Sequence, residues 1–364
     1  MIRVNKITRL SWLLVAASIL APQGWGDESS AAPFSIVVSP ECALTMRAAR
    51  TLGAYVQRAT GEAPSIETHQ RVTPPEPKQT IVILGAFDSF ENLGTLVSPG
   101  DLMAGVERDG FVLKTVAPGK GRVVLALGRT EKGAVNAMWR LMRELEVDSG
   151  RVMVPDMEIC ASPFLRVREA TIHDPWVRSG VTVGAMAEQQ AIKYCPRNWS
   201  EARLRTYVDM LDSFGYNAVQ VSDLPRLRQL PGGTTDAQWA AKAIAMADRA
   251  HKNGQTFAVR IWASAVTDPA TGTEYWRPGA RWDDPAQREI LMDAYRYYAD
   301  TYAAHIDRII THWSDLGGVF QSVEEGCTST IETALEQHNV VAGLFREKNP
   351  HISTAFNLWG IRSE

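Results

Sequence analysis

The sequence predicts an α/β protein whose larger part is a (β/α)8 barrel of the TIM type, preceded by a small α+β domain. Residues 161–364 alternate short β-branched runs with segments of helical periodicity, which is typical of repeated βα units. Several of these runs end in polar or aromatic residues, as parallel strands do at a functional edge. No G-x-G-x-x-G or P-loop motif follows any predicted strand, which disfavours a nucleotide-binding open sheet.

The clearest strand end lies at residues 308–318, which read RIITHWSDLGG. The β-branched run 309–311 predicts a buried parallel strand. His312, Trp313 and Asp315 follow it directly, before two glycines that let the chain turn. Ligands of α/β folds bind at this end of the sheet, so these residues are the first candidates for chemistry. An ordinary polar loop after a strand gives the same pattern and remains the alternative.

The predicted barrel is short of strands. Five strands are indicated, at residues 168–173, 217–221, 256–261, 309–311 and 353–356, whereas a barrel needs eight strands and about 250 residues. We therefore expect residues 161–364 to be the N-terminal part of a barrel, truncated after about five strands. Its two outer strands would leave edges unpaired, so we expect this part to be poorly stable alone.

Residues 33–160 predict the small α+β domain. Strands are indicated at 34–38, 81–84, 111–116 and 123–127, and helices follow the first and the last of them. Ser39 is the expected N-cap of the first helix, and Thr130 that of the second. The expected arrangement is a mixed sheet with its helices on one face.

Residues 1–26 have the pattern of a secretory signal peptide. Arg3, Lys6 and Arg9 precede an apolar run at 10–20, and small residues lead up to Gly26. We expect a secreted or periplasmic protein without stable membrane insertion after signal removal. An uncleaved N-terminal anchor is the alternative, although the apolar run is short for a membrane span.

Composition and charge exclude several classes of function. The net charge is −3, and 22% of the residues are charged, so no basic surplus indicates a nucleic-acid partner. The four cysteines are widely spaced without a C-x-x-C pair, so we expect no zinc site, and any disulfide pairing is left open. We expect no cofactor and no metal. Eleven tryptophans suit the stacking of sugar rings but are also ordinary core residues.

The segments LGAYVQRATG, IVILGA, DGFVLKT and VVLALGRTEKGAVNAMWRLMREL carry a family resemblance. In order and in their glycines they resemble the non-catalytic domain that precedes the barrel of bacterial β-N-acetylhexosaminidases. The resemblance covers roughly residues 34–160, and a similar domain precedes the barrel of α-glucuronidases. It implies a glycoside hydrolase whose catalytic barrel follows this domain.

The resemblance extends in part to the first predicted barrel strand. The hexosaminidases open that strand with a Phe-x-x-Arg whose arginine holds the sugar, and Arg168 matches it by position, with Glu169 in place of the usual glycine. A salt-bridged strand residue is the alternative for Arg168. The family ends its fourth strand in an adjacent Asp-Glu pair, which is missing here, so the resemblance does not imply substrate-assisted cleavage of N-acetylglucosamine. An α-glucuronidase-like branch stays open, with Arg168 or Arg260 for a uronate carboxylate.

Carboxylates, tryptophans and an arginine at strand ends suit the hydrolysis of a glycosidic bond by two carboxyl groups. Asp315 is our first candidate, with Glu324 or Glu325 as the acid and His312 to orient or stabilise. Alternatively, Asp315 caps the glycine turn and the two glutamates form a solvated pair. The candidate substrate-binding residues are Arg168, His173, Asp174, Asp223, Arg260, Trp262, Trp313, Asn357 and Trp359.

The function expected from the sequence is that of a secreted, glycoside hydrolase-like protein acting on a hexosaminide or uronide. Its expected partner is an oligo- or polysaccharide. The alternative is a catalytically silent carbohydrate-binding protein or an inactive fragment. A carboxylate pair about 5–10 Å apart across a cleft would favour hydrolysis, whereas isolated carboxylates would favour binding alone.

Overall fold

The computed structural model describes residues 34–40, 42–97, 102–117, 121–172, 177–178, 181–182, 196–223, 236–264, 266–268, 270–275, 280–312 and 331–357. This part of the chain is a mixed α/β structure with six α-helices and two large sheets. The helices are α1 (Ala43–Thr60), α2 (Glu131–Glu144), α3 (Glu201–Ser213), α4 (Asp236–Lys252), α5 (Pro285–Tyr302) and α6 (Ile331–Lys348). No helix in these ranges is both long and apolar enough to cross a bilayer.

The strands comprise the members of both large sheets and three small two-stranded ribbons. The first sheet contains β1 (Phe34–Val38), β2 (Ser65–Thr68), β3 (Thr80–Ala86), β4 (Phe111–Val116), β5 (Arg122–Gly128) and β8 (Glu158–Ala161). The second contains β9 (Glu169–Ile172), β12 (Ala218–Asp223), β13 (Thr256–Trp262), β16 (Arg308–His312) and β17 (Ser353–Asn357). The ribbons are β6 (Glu146–Asp148) with β7 (Arg151–Met153), β10 (Val177–Arg178) with β11 (Val181–Thr182), and β14 (Val266–Thr267) with β15 (Glu274–Tyr275).

The first sheet is mixed, with the strand order β2-β1-β3-β5-β4-β8. Strands β2, β1, β3 and β5 run parallel, and β4 lies antiparallel to both of its neighbours. Helices α1 and α2 pack together on one face, as the sequence predicts, and residues between 72 and 106 cover the other face. The central strands β1, β3 and β5 are therefore buried on both sides.

The start of α1 differs from the expectation. The N-cap is Cys42, whose sulfur accepts a hydrogen bond from the Thr45 amide at 3.3 Å. Ser39, the predicted cap, lies buried directly after β1, three residues before the cap that is used. The predicted cap of α2 is confirmed, because the Thr130 hydroxyl accepts a hydrogen bond from the Gly133 amide.

The second sheet consists of five parallel strands that follow one another in chain order, from β9 through β12, β13 and β16 to β17. Helices α3 to α6 pack on one face, in a core that includes the fully buried Trp239, Tyr302 and Phe345. The βα alternation and the parallel pairing predicted from the sequence are thus observed in these strands. Because the strands lie in chain order, each connection leads from one strand to the strand beside it.

The opposite face of this second sheet, here called the inner face, is largely polar. Successive strand residues alternate between the two faces, and Val219, Val259 and Ile309 belong to the helix-facing core. Alternation therefore assigns a fixed set of residues to the inner face. These are Glu169, Thr171, Ala218, Gln220, Ser222, Thr256, Ala258, Arg260, Trp262, Arg308, Ile310, His312, Ser353, Ala355 and Asn357.

One contact on the inner face spans the two strands that lie between β9 and β16. Arg308 on β16 forms an ion pair with Glu169 on β9, although β12 and β13 lie between these strands. On a flat sheet three strand spacings amount to about 14 Å. The small side chains of Ala218 and Ala258 lie on the intervening strands. The long Arg308 and Glu169 side chains reach across these two strands from opposite sides to meet.

The two sheets are joined through α2 and α3. Asp212 near the end of α3 forms an ion pair with Lys132 of α2, and it accepts a hydrogen bond from the Trp139 indole nitrogen at 3.0 Å. The side chains of Lys132 and Asp212 are only 9% and 3% exposed. At a second point, Asp109 accepts hydrogen bonds from Arg168 and Asn217, each at 2.9 Å. The joint therefore depends on charges that are largely removed from water.

A half-exposed ion pair at the amino-terminal end of β16 predicts a pH dependence of stability. His251 Nε2 lies 2.8 Å from Asp307 Oδ2, which also accepts the Phe257 amide at 2.7 Å. The hydrogen bond to Asp307 raises the pKa of His251 above its ordinary 6.5. Burial alone would raise the pKa of Asp307, but the hydrogen bonds from His251 and the Phe257 amide lower it below 3.8.

We expect this pair to stabilise the fold most between about pH 4 and 6.5. The His251 contribution is complete below 6.5 and is lost as the pH rises through its raised pKa. The Asp307 contribution is complete above 3.8 and is lost as the pH falls through its lowered pKa. Exposure limits the effect to below about 1 kcal/mol. Urea unfolding of His251→Gln and wild type should show a difference at pH 5.5 that shrinks towards pH 9, and a constant difference would contradict the assignment.

Candidate functional site

The carboxyl-terminal edge of the second sheet brings together three predicted site residues. Trp262, His312 and Asn357 end three neighbouring strands, and the register pairs Trp262 with His312 and His312 with Asn357. Asp223 ends β12 at the same edge, where it pairs with Ile261. The expectation that these strands end side by side is met, because all of them run parallel and in register.

The Trp262 and His312 rings form the centre of this edge. Their centroids are 4.2 Å apart, and their planes meet at 81°, so the ring edges and faces are in contact. Both side chains are buried, with 1% and 3% of their surface exposed. Trp262 therefore fixes the plane of the imidazole rather than offering an open platform.

Arg260 lies one inner-face position before Trp262 on the same strand. Its Nε and Nη2 atoms donate hydrogen bonds to the Ser222 hydroxyl at 3.1 and 2.8 Å. The guanidinium carbon is 5.7 Å from the centroid of the Trp262 ring, within the range of a cation–π interaction. The edge thus holds a cation positioned beside the Trp262 indole.

Helix residues behind the sheet hold this edge in place. The Tyr295 hydroxyl donates to the carbonyl oxygen of Ala263, the residue after Trp262, at 2.6 Å, and its oxygen lies 3.0 Å from Gln337 Oε1. Burial raises the pKa of Tyr295 far above its ordinary value, so this donor keeps its proton. On the neighbouring strand β16, Thr311 Oγ1 lies 2.7 Å from Nδ1 of His338 on helix α6.

These supporting residues were not predicted as part of the site. None of Tyr295, Gln337 and His338 is among the candidates named from the sequence. Burial and the nearby Arg346 lower the pKa of His338, which favours a neutral imidazole behind the sheet. No sequence signal marks Gln337, because a glutamine on a helix is normally exposed and only the structure shows that this one is buried.

Arg168 lies at the amino-terminal edge of the second sheet. This differs from the expectation that it shares the carboxyl-terminal edge with the other candidate residues. It precedes β9, and its guanidinium donates to Asp109 at 2.9 Å and to the carbonyl oxygens of Gly215 and Leu165 at 2.6 and 2.7 Å. These groups lie where the second sheet begins and meets the first one. Its contacts match the salt-bridged alternative, because the side chain serves the joint between the sheets.

The remaining candidates lie outside the described residues. They are Asp315, Glu324, Glu325, His173, Asp174, Trp313 and Trp359. The described part of the edge supplies a cation, an imidazole, an amide and an indole, of which the imidazole and the indole are buried. In that part of the chain no three His, Cys, Asp or Glu side chains converge to hold a metal ion.

Comparisons with known proteins give a likeness of fold without a likeness of sequence. No family model matches this chain, and no curated protein sequence matches it. Solved structures of glycoside hydrolases do match. A Streptomyces plicatus β-hexosaminidase in complex with its product GlcNAc aligns with a TM-score of 0.55 and 11% identity, over 90% of this chain and 63% of that one.

Two further glycoside hydrolase structures also align with this chain. A GH20 exo-β-N-acetylglucosaminidase from Vibrio harveyi aligns with a TM-score of 0.53 and 12% identity, over 89% of this chain and 51% of that one. A GH138 enzyme targeting pectin rhamnogalacturonan II aligns with a TM-score of 0.51 and 14% identity, over 85% and 34%. This chain thus spans between about a third and two thirds of the length of these proteins. The fold is glycoside hydrolase-like.

Proposed function

We propose that this protein acts on a glycan, as a glycoside hydrolase, at the carboxyl-terminal edge of its second sheet. The observation that carries the proposal is the group formed by Arg260, Trp262, His312 and Asn357 at the ends of parallel strands. Such edges are where α/β folds bind their ligands. The glycoside hydrolase-like fold supports a sugar as that ligand, either a hexosaminide or a uronide.

We further propose that the second sheet is part of a (β/α)8 barrel and corresponds to the predicted domain at 161–364. Its strands run parallel and follow in chain order, as those of such a barrel do. The first sheet with its two helices then corresponds to the non-catalytic domain predicted at 33–160. The inner face of such a barrel leads to the carboxyl-terminal edge, where the chemistry takes place.

The proposed chemistry uses two carboxyl groups. One protonates the oxygen of the leaving sugar, and the other attacks the anomeric carbon or activates water. Asp315 is the proposed carboxylate and Glu324 or Glu325 the acid, with His312 as an orienting group. Because Trp262 is buried, the aromatic residues proposed to contact the sugar are Trp313 and Trp359.

A screen of 4-nitrophenyl glycosides with the full chain tests this proposal. Release of nitrophenol from a hexosaminide or uronide would support hydrolysis and identify the sugar. The same protein should be titrated calorimetrically with the matching oligosaccharides. Binding without turnover would replace the enzyme by the alternative, a carbohydrate-binding protein, and the absence of both would contradict a glycan ligand.

Export is a separate proposal with its own test. Residues 1–26 have the charge and apolar pattern of a signal peptide, so we expect the mature chain to lack about these residues. N-terminal sequencing of the protein from its native host would show the cleavage point. A mature chain that still begins at Met1 would contradict export by this route.

A further inference from the structure

Ala263, the residue directly after β13, is held at both ends of its backbone. Its amide nitrogen donates a hydrogen bond to the His312 carbonyl oxygen at 3.1 Å, and its own carbonyl oxygen accepts one from the Tyr295 hydroxyl at 2.6 Å. Its side chain is buried and packs against Ala334 of helix α6. Ala263 therefore connects the ends of two neighbouring strands to the helices behind them.

The Tyr295 hydroxyl is a fixed, neutral donor. The tyrosine belongs to the core between the second sheet and its helices, where the centroid of its ring lies 6.3 Å from that of Trp282. Burial raises the pKa of the hydroxyl far above its ordinary value, so the hydroxyl keeps its proton. Of its two described neighbours, the Ala263 oxygen is nearer than the Gln337 oxygen, which lies at 3.0 Å. The single proton therefore goes to Ala263.

The position of Ala263 bears directly on the contact between Trp262 and His312. Trp262 is the preceding residue, and its ring meets the imidazole in a T-shaped arrangement with 4.2 Å between the centroids. Both rings are almost fully buried, so a backbone shift at Ala263 is passed on to them rather than absorbed by free space. Without the tyrosine hydroxyl the Ala263 carbonyl would lose a buried hydrogen bond, and the strand end would shift to regain one.

We propose that Tyr295 is a positioning residue of the candidate site. Its hydroxyl fixes the backbone of Ala263, and Ala263 in turn fixes Trp262 and the plane of the His312 imidazole. The tyrosine itself lies on the helix side of the sheet, away from the inner face, so it does not touch a ligand. The effect on catalysis rests on the proposed function, in which His312 is an orienting group, whereas the effect on the imidazole is a property of the fold alone.

Nuclear magnetic resonance of the histidine side chains tests the positioning without any substrate. In protein labelled with ¹⁵N-histidine, the His312 signals are identified by their loss in His312→Gln. We expect Tyr295→Phe, which removes only the hydroxyl, to move these signals, because the adjoining Trp262 ring changes the magnetic field at the imidazole when the two rings move. Thermal unfolding shows that the variant is folded. Unmoved His312 signals in a folded Tyr295→Phe protein would overturn the proposal.

The matched control for this variant is Tyr302→Phe. Tyr302 is also fully buried, but it lies at the end of α5, about two turns beyond Tyr295. Its replacement removes a buried hydroxyl from the same helix without touching Ala263. We expect the His312 signals of this control to match those of wild type, and a shift as large as in Tyr295→Phe would overturn the proposal.

A further variant separates the bond to Ala263 from the contact between α5 and α6. Gln337→Met nearly keeps the size of the side chain but removes the other described neighbour of the Tyr295 hydroxyl. We expect its His312 signals to stay close to those of wild type, because the bond to Ala263 is intact. A shift as large as that in Tyr295→Phe would assign the effect to helix packing and overturn the proposal.

Kinetics on the glycoside that the screen identifies test the consequence for the reaction. We expect Tyr295→Phe to lower kcat about tenfold with little change in KM, because a misplaced His312 weakens the transition state more than it weakens substrate binding. A folded variant with an unchanged kcat would overturn the role in catalysis. If the wild type hydrolyses no glycoside, the proposed function fails, while the histidine signals still decide whether Tyr295 positions the imidazole.

Discussion

Replacement of Asp212 by alanine is expected to lower the free energy of unfolding by about 3–5 kcal/mol. Asp212 is the partner of Lys132 and also accepts the Trp139 indole N–H. Without it, the Lys132 ammonium keeps one described contact, a hydrogen bond to the Asn253 carbonyl at 3.2 Å, and stays 9% exposed. A buried cation without a countercharge is costly because little water remains to solvate it. Urea unfolding of both proteins measures the difference.

Two further variants separate the effect of burial from that of charge removal. Asp300→Ala removes the carboxylate of an exposed ion pair with Lys348 and should cost less than about 1 kcal/mol. The double variant Lys132→Met with Asp212→Leu replaces the buried pair by apolar groups and should recover much of the lost stability. If Asp212→Ala proves as mild as Asp300→Ala, the joint does not depend on this pair.

Substitution of Asp315 by asparagine is expected to lower kcat by about a hundredfold or more on the glycoside that the screen identifies. An amide neither attacks the anomeric carbon nor takes a proton from water, while its size is that of the carboxylate. The loss should therefore appear in kcat, with little change in KM. Initial rates on the aryl glycoside measure both constants.

The control for this substitution is Asp300→Asn, the same chemical change on the outer helix α5, which should leave kcat unchanged. Thermal unfolding of the Asp315 variant shows whether the fold survives. An unchanged rate in a folded Asp315→Asn protein would assign Asp315 to the glycine turn, and the carboxylate would have to be sought elsewhere.

The elements with strong apolar patterns could be predicted from the sequence. The runs at 256–261 and 309–311 are rich in β-branched residues and end at Trp262 and His312, so their burial and their parallel pairing followed from pattern alone. Strand β2 was missed because Ser65–Thr68 is mostly exposed and lacks apolar alternation. Its place in the sheet is set by backbone hydrogen bonds to β1, which do not depend on the identity of its side chains.

The joint between the sheets was beyond prediction for another reason. Asp212 and Lys132 each occur in amphipathic helices, where a charged residue normally faces solvent. The two residues are 80 positions apart in the chain, and they are buried because the parts of the chain that carry them pack together. Arg168 was misplaced similarly, since its position before a strand gives no information on which groups surround that end of the sheet.

The Glu169–Arg308 ion pair also has a consequence for the order of folding. Its members are 139 residues apart, and β12 and β13 must be in place between them before the two charges meet. Closing a loop of this length costs conformational entropy. The cost is smaller once the strands between the two residues have already paired, because they shorten the flexible part of the loop. The pair is therefore expected to form after the transition state, so that its removal accelerates unfolding and leaves the refolding rate nearly unchanged.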